Sequence, residues 1–309
     1  MGRRVDAVHH REEDGLILSE EHRPRSGRRR WMGRFLLLVL FAAVVLGGYA
    51  GITGLVRNFG PPSCVAVAVK GGPQVSFSPE QMANASTIAG VAVKRGLPPR
   101  AASIAITTAI QESKLRNLRY GDRDSLGLFQ QRPSQGWGTA DQIMNPVYAS
   151  NRFYDELVKI PDFQHKRITE IAQQIQRSGY PEAYAAHETE GRTLASVLTG
   201  QSSAGLGCRL AGVEAGAAAS ASTVAQELTT QTGIGASVRG PHVVQVAAGS
   251  ATKAWTAGAW AVAHADARGI TAVTVGNKTW TRSRDTSAAT WQAASTPAGS
   301  PTTVRIRIG

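Results

Sequence analysis

From Phe35 to Val56 the chain reads FLLLVLFAAVVLGGYAGITGLV, about 22 residues without a charge. At about 1.5 Å rise per residue such a helix spans a hydrocarbon core of roughly 30 Å, so the pattern predicts one transmembrane helix over 35–56. A cleavable signal peptide is the competing reading, but its apolar stretch is only about 7 to 15 residues and ends at a small-x-small site. Gly and Pro then punctuate a Val/Ala alternation, which predicts a short stalk over 57–78. Helical signals follow. Ser78 before Pro79 and Glu80 is a helix start, and Gly96 with Pro98 and Pro99 is a stop. From Arg100 to about Leu115 apolar residues lie nearly all round the helix, which predicts a buried element with Glu112 on its last turns. Further helices are expected over 146–158, over 168–177 with a stop at Gly179, and from Pro181 onward.

Residues 79–206 therefore predict a helical domain, and 207–240, rich in Ala, Ser and Thr, a linker ending in a weak helix. After it the period changes to two. HVVQVAA predicts a strand, Ala251 to Arg268 a helix, ITAVTVG and KTWTRS a hairpin about Gly276-Asn277, and TTVRIRI a last strand. The expected fold class is mainly α: a helical domain after one transmembrane helix, plus a small α+β domain over 241–309.

Charge orients this plan. Six arginines lie between Arg23 and Arg34, whereas only Arg57 closely follows the apolar run. The positive-inside rule then places the tail 1–34 in the cytoplasm and everything after Val56 outside it, in a single-pass cell-membrane protein. Residues 1–34 hold nine Arg against six Asp and Glu, so of the formal +12 about +9 (12 minus 3) belongs to the remainder. A basic exported domain suits an anionic matrix such as a cell wall or lipid surface, or is simply a solubilising surface. Nucleic acid is not an expected partner at that address, because the basic residues are not interleaved with stacking aromatics. Two cysteines, Cys64 and Cys208, fall on the exported side, where a disulfide persists; two free thiols are the alternative.

The stretch QESKLRNLRYGDRDSLGLFQQ, residues 111–131, carries the candidate chemistry. A carboxyl at the end of a buried helix is partly desolvated, which raises its pKa and suits proton donation near neutral pH. The plainer reading pairs Glu112 with Arg116, four residues on. Glu112-Ser113, followed by Ser125, Leu126 and Gly-Leu-Phe-Gln at 127–130, resembles the Glu-Ser and Gly-Leu-Met-Gln motifs of family 1 lytic transglycosylases of the lysozyme-like superfamily. Ala183-Tyr184 matches the start of that family's Ala-Tyr-Asn, with Ala185 where the family has Asn, and QRSGYPEAYA resembles the closing segment of actinobacterial lysozyme-like wall proteins. The likeness covers about 120 residues.

The resemblance implies a lysozyme-like fold and a role for each residue. Glu112 protonates the glycosidic oxygen between N-acetylmuramic acid and N-acetylglucosamine, then takes the proton of the muramyl 6-hydroxyl as a 1,6-anhydro ring closes. Ser113 and Gln130 hold the glutamate and the sugar amides, Tyr184 orients the acid, and Gly127 lets the backbone approach the sugar. The expected partner is the glycan strand of peptidoglycan. A muramidase in which Asp122 or Asp124 activates water is one rival, and a tethered glycan-binding or scaffold protein, favoured by the missing Asn, is another. Both aspartates also fit turn formation or pairing with Arg119 and Arg123. Trp137 suits either sugar stacking or a plug against the core, and Trp260 with His264 suits a helix core. No cofactor or metal is expected, since no Cys/His/carboxylate cluster, His187 included, has ligand spacing. The sequence names no protein partner.

Overall fold

The computed structural model describes residues 27–176 and 181–309. The expected stop at Gly179 lies outside them. Helix α1 (Gly27–Phe59) contains a window, Arg34–Gly51, long and apolar enough to cross a membrane or to serve as a signal sequence. No residue of that window is buried. The chain divides after Leu55, and Val56–Gly309 forms the second unit.

That unit is mixed α+β and opens with a feature not expected of a stalk. Strands β1 (Ser63–Val67) and β2 (Gln74–Phe77) pair antiparallel. Helix α2 (Pro79–Lys94) follows with Ser78 as its cap: the Ser78 side chain accepts from Gln81 N, and Gln81 answers to the Ser78 backbone. Such a box satisfies two of the amides that every helix start leaves open. Helix α3 (Pro99–Ser113) is buried at every residue from Ala101 to Ile110. Short α4 (Ala140–Ile143), α5 (Pro146–Leu157) and α6 (Ile168–Gln176) come next. The helix expected from Pro181 is a 3-10 segment, Pro181–His187, followed by α7 (Glu188–Leu198). Gly191 lets α7 lie directly on α3, because a Cβ there would stand 3.0 Å from both Ser103 O and Thr107 N.

The stretch expected as a linker over 207–240 is largely structured. Strand β3 (Leu206–Arg209) pairs with β1 to complete a sheet in the order β2-β1-β3, with Cys64 opposite Cys208, and the two cysteines are disulfide-bonded. Helix α8 (Ala221–Thr232) is capped by Ser220 and closed by Gly233, and strand β4 (Ala236–Val238) follows. The remaining elements are β5 (Val243–Ala247), α9 (Ala251–Ala263), α10 (Ala265–Arg268), β6 (Ile270–Val275), β7 (Lys278–Thr281), β8 (Gln292–Ala293) and β9 (Thr303–Ile308). They build an antiparallel sheet in the order β4-β5-β9-β6-β7-β8. On β9, Val304, Ile306 and Ile308 face the core while Arg305 and Arg307 alternate outward, as period two requires.

The helical and C-terminal segments share one core, because α2 packs on α8 and α9 as well as on α3 and α5. Buried tryptophans stitch the two together without leaving a donor unpaired. Trp291 Nε1 donates to Leu206 O at 2.7 Å, and Trp260 Nε1 donates at 2.8 Å to Gln231 Oε1, which also accepts from the Thr87 hydroxyl of α2 at 3.0 Å. His264 is also buried, stacks on Trp260 at 4.2 Å, and burial pushes its pKa down to about 4.

The bridge closes a loop with sequence separation 144, long enough for chain entropy to give it about 4 to 5 kcal/mol. Replacing both cysteines by serine should lower unfolding free energy by about 2 to 5 kcal/mol, read from urea midpoints. A loss below about 1 kcal/mol would mean that the bridge adds little to a sheet already held by its core.

Candidate active site

The site begins where α3 has to stop. Lys114 and Leu115 both take the left-handed conformation, at φ 54° and 58°, and their amides bond back to Ile110 O at 2.9 Å and Ala109 O at 3.1 Å. Two non-glycine residues in that region carry strain, which persists only where surrounding contacts hold it. Here α2 supplies them: Gln81 Nε2 donates to Lys114 O at 2.7 Å and Asn84 Nδ2 to Leu115 O at 2.8 Å. Leu115 is itself fully buried.

Ser113 is buried, and its hydroxyl points to Leu128 O at 2.7 Å and Ala109 O at 3.0 Å. The structure thus places Ser113 as the tie between α3 and the Gly-Leu-Phe-Gln turn; it hydrogen bonds backbone carbonyls instead of the glutamate. The turn is closed by Gly127 N to Leu118 O at 2.7 Å and by paired bonds between Leu126 and Gln131. Gly127 has φ 75°, and a Cβ on it would stand 2.9 Å from Ile143 O. The glycine is needed for packing against α4. Leu128 and Phe129 are fully buried, and Phe129 stacks on Phe153 with ring centres 4.7 Å apart. Gln130, at φ 47°, directs its amide to Gly127 O at 3.2 Å and Tyr120 O at 3.4 Å.

Glu112 stands beside this turn, half-buried. Tyr184, fully buried on the 3-10 segment, donates its hydroxyl to Glu112 Oε1 at 2.6 Å. Gln176, at the end of α6, hydrogen bonds the same carboxyl and donates to Phe129 O at 2.6 Å. Burial pushes the Glu112 pKa up, and the hydrogen bonds from Tyr184 and Gln176 oppose that only in part. Among the described residues no ion pair joins Glu112 to Arg116, the expected partner; the carboxyl turns inward to a phenol and an amide. Gln176 was not expected from sequence. Its one signal is its place four residues after Ala172, at the edge of the buried stripe of α6.

Asp124 is spoken for. Arg132 Nε lies 2.8 Å from its Oδ1, and Ser134 reaches it through N at 2.8 Å and Oγ at 3.0 Å. The Arg132 guanidinium and the Ser134 donors hold its carboxyl well below the usual carboxylate range. The pairing expected with Arg119 or Arg123 is replaced by one with Arg132. Asp122 uses its backbone carbonyl to accept from Ser125 N at 3.0 Å. His187 pairs with Glu190 at 2.8 Å. Among the described residues no group of three or more His, Cys, Asp or Glu could hold a metal.

Next to Gln176 opens a cleft of about 560 Å³, whose walls include Trp137, Arg152, Lys159 and Ile175. Glu112 is not on its wall; Gln176 is the residue shared between cleft and carboxyl. Trp137 packs partly on the core, as a plug would, and also lines this cleft.

No protein-family model matches the chain, and no curated protein is significantly similar to it.

A carboxyl whose pKa is raised on folding binds its proton more tightly folded than unfolded. Stability is therefore lost as pH rises from the ordinary glutamate value through the raised one. Glu112→Gln keeps the acceptor for Tyr184 and removes that penalty, so it should melt higher than wild type at neutral pH. Below about pH 4, where both states are protonated, the two should melt together. Equal melting temperatures at neutral pH would mean the carboxyl carries no such penalty.

Proposed function

We propose that the protein is a membrane-anchored peptidoglycan lytic transglycosylase, N-terminus cytoplasmic, with Glu112 as its single acid and base. The carrying observation is a half-buried carboxyl of raised pKa, hydrogen bonded by Tyr184 and Gln176 and set beside the Gly-Leu-Phe-Gln turn. The resemblance of that turn and of Glu112-Ser113 to family 1 lytic transglycosylases supplies the substrate class. The apolar α1 and the disulfide support an anchored chain with its folded part outside the cytoplasm.

The chemistry uses one carboxyl twice. Protonated Glu112 donates its proton to the glycosidic oxygen, and the bond from that oxygen to the muramyl C1 breaks. The carboxylate left behind takes the proton of the muramyl 6-hydroxyl as O6 bonds to C1. Proton count and charge return to their starting values and no water is consumed. Burial holds the proton on Glu112 before the first step and strengthens the carboxylate as a base in the second; Tyr184, by donating to the anion, stabilises the carboxylate that the first step leaves behind. A hydrolase would need a second carboxylate to raise water as a base, and the strongly lowered pKa of Asp124 makes it a poor one. The cleft beside Gln176, with Trp137 on its wall, is a place for a sugar ring to stack.

Glu112→Gln should lower anhydro-muramyl product formation by about a hundredfold or more, counted by mass spectrometry of muropeptides. Products with reducing ends would favour the muramidase, and intact glycan that is bound equally by wild type and variant would favour the tethered binder. Tyr184→Phe removes a donor to the Glu112 anion, so the alkaline limb of the pH-rate profile should move to higher pH with a lower maximum. An unmoved limb would detach Tyr184 from the acid.

A further inference from the structure

A second opening, of about 720 Å³, lies between α2, α5, α8 and α10, and its walls include Asn84, Thr87, Gln231 and His264. Of the charged residues lining it, Glu227 and Arg268 neutralise each other in an ion pair of 2.6 Å. The other two, Arg119 and Asp141, have no side-chain hydrogen bond or ion pair among the described residues. One unspent charge of each sign therefore lines the opening. His264 is only 5% exposed. Its Nδ1 donates to Trp260 O at 2.9 Å, so Nε2 is the acceptor of a neutral ring. That acceptor meets only the Thr87 hydroxyl, at 3.5 Å, whose single proton has closer acceptors in Gln231 Oε1 at 3.0 Å and Ala83 O at 3.1 Å. A buried acceptor served so poorly costs stability unless a further donor reaches it. Two half-buried amides are also partly unspent: Gln231 uses Oε1 and keeps Nε2, and Asn84 gives Nδ2 to Leu115 O and keeps Oδ1.

We propose that this opening binds a short zwitterionic peptide, its carboxylate at Arg119, its ammonium at Asp141 and its amides on His264, Gln231 and Asn84. A peptide group brings a donor and an acceptor together, as these residues require: its N–H suits His264 Nε2 and Asn84 Oδ1, and its C=O suits Gln231 Nε2. Ala83, Val147 and Ala267 give small apolar walls on which short side chains can rest. A sugar ring is the poorer fit, because no Trp, Tyr or Phe lines the opening for it to stack on. A polyanion is poorer still, because Asp141 and Glu227 would repel it. Every residue used belongs to the unit Val56–Gly309, and the inference depends neither on Glu112 nor on the reading of α1.

The full chain, in micelles of an uncharged detergent, is titrated calorimetrically with trialanine, with trialanine blocked at one or both ends, and with di-N-acetylchitobiose. The imidazole resonance of His264, identified by its absence in His264→Gln, is followed in parallel. Trialanine with free ends should saturate one site at about 1 mM or below and shift that resonance. Asp141→Asn and Arg119→Gln should each weaken it about fivefold with melting unchanged, since both side chains are exposed. The ends and the charges should be matched: N-acetylation should cost about as much as Asp141→Asn and make that substitution silent, and C-amidation should do the same for Arg119→Gln. No saturable binding of trialanine, or equal binding of its free and doubly blocked forms, would overturn the proposal. So would binding that neither substitution weakens, which places the peptide elsewhere. A His264 shift produced by di-N-acetylchitobiose at the same concentrations would assign the opening to sugar. Glycan cleavage is read separately from its products, so either reading can fail while the other stands.

Discussion

A helix buried on every side has to end somewhere, and where α3 ends decides the rest. Burial from Ala101 to Ile110 gives way to the half-buried Gln111 and Glu112, and after Ser113 the chain reverses at once through two left-handed residues. The turn is held by Gln81 and Asn84 of α2, so the frame of the site is built before the reversal is reached. Glu112 is the last charged side chain before this reversal. Its carboxyl is desolvated because the helix is, and its direction is set because Tyr184 and Gln176 approach from two later elements.

The same constraint separates the carboxyl of the helix from those of the loop. Asp124 sits with Arg132 and Ser134, an environment that favours the anion; Glu112 sits against a phenol and an amide, where burial favours the acid. Environments that push two carboxyls in opposite directions assign their roles. The loop aspartate fastens the turn to Arg132 and Ser134, and the helix glutamate is the carboxyl to which the proposed reading gives the transferable proton.

Much of this was legible in the sequence because it rests on local signals. Ser78 and Pro79 announce α2, and Pro146 announces α5, since caps and proline act within one turn of chain. The hairpin about Gly276-Asn277 and the alternation of β9 are local in the same sense. What stayed hidden is non-local. β3 is a strand of four residues whose partner β1 lies over a hundred residues away, so that stretch alone does not differ from a linker, and the short β1–β2 pair reads locally as a punctuated stalk. Helix α8 is the weak helix expected at the end of the linker; its Ala, Ser and Thr content understated it, although Ser220 and Gly233 mark both its ends. In the site, Glu112 and Tyr184 were expected together only through the family resemblance. The pairing of Asp124 with Arg132 and the arrival of Gln176 depend on how the chain folds back, which no spacing encodes. Ser113 and Gly127 matched the motif, but their physical work is to fasten the turn to α3 and α4.

The central claim is that burial, opposed only in part by two hydrogen bonds, keeps the Glu112 carboxyl protonated beyond the ordinary range of glutamate. The most direct measurement is a carbon-13 titration of glutamate carboxyls in the intact protein, with the Glu112 resonance identified by its absence in Glu112→Gln. The account predicts a midpoint above the ordinary glutamate value of about 4.3, rising further in Tyr184→Phe. A midpoint at or below that value in wild type would contradict it, because the carboxyl would then be an ordinary carboxylate with no proton held for donation.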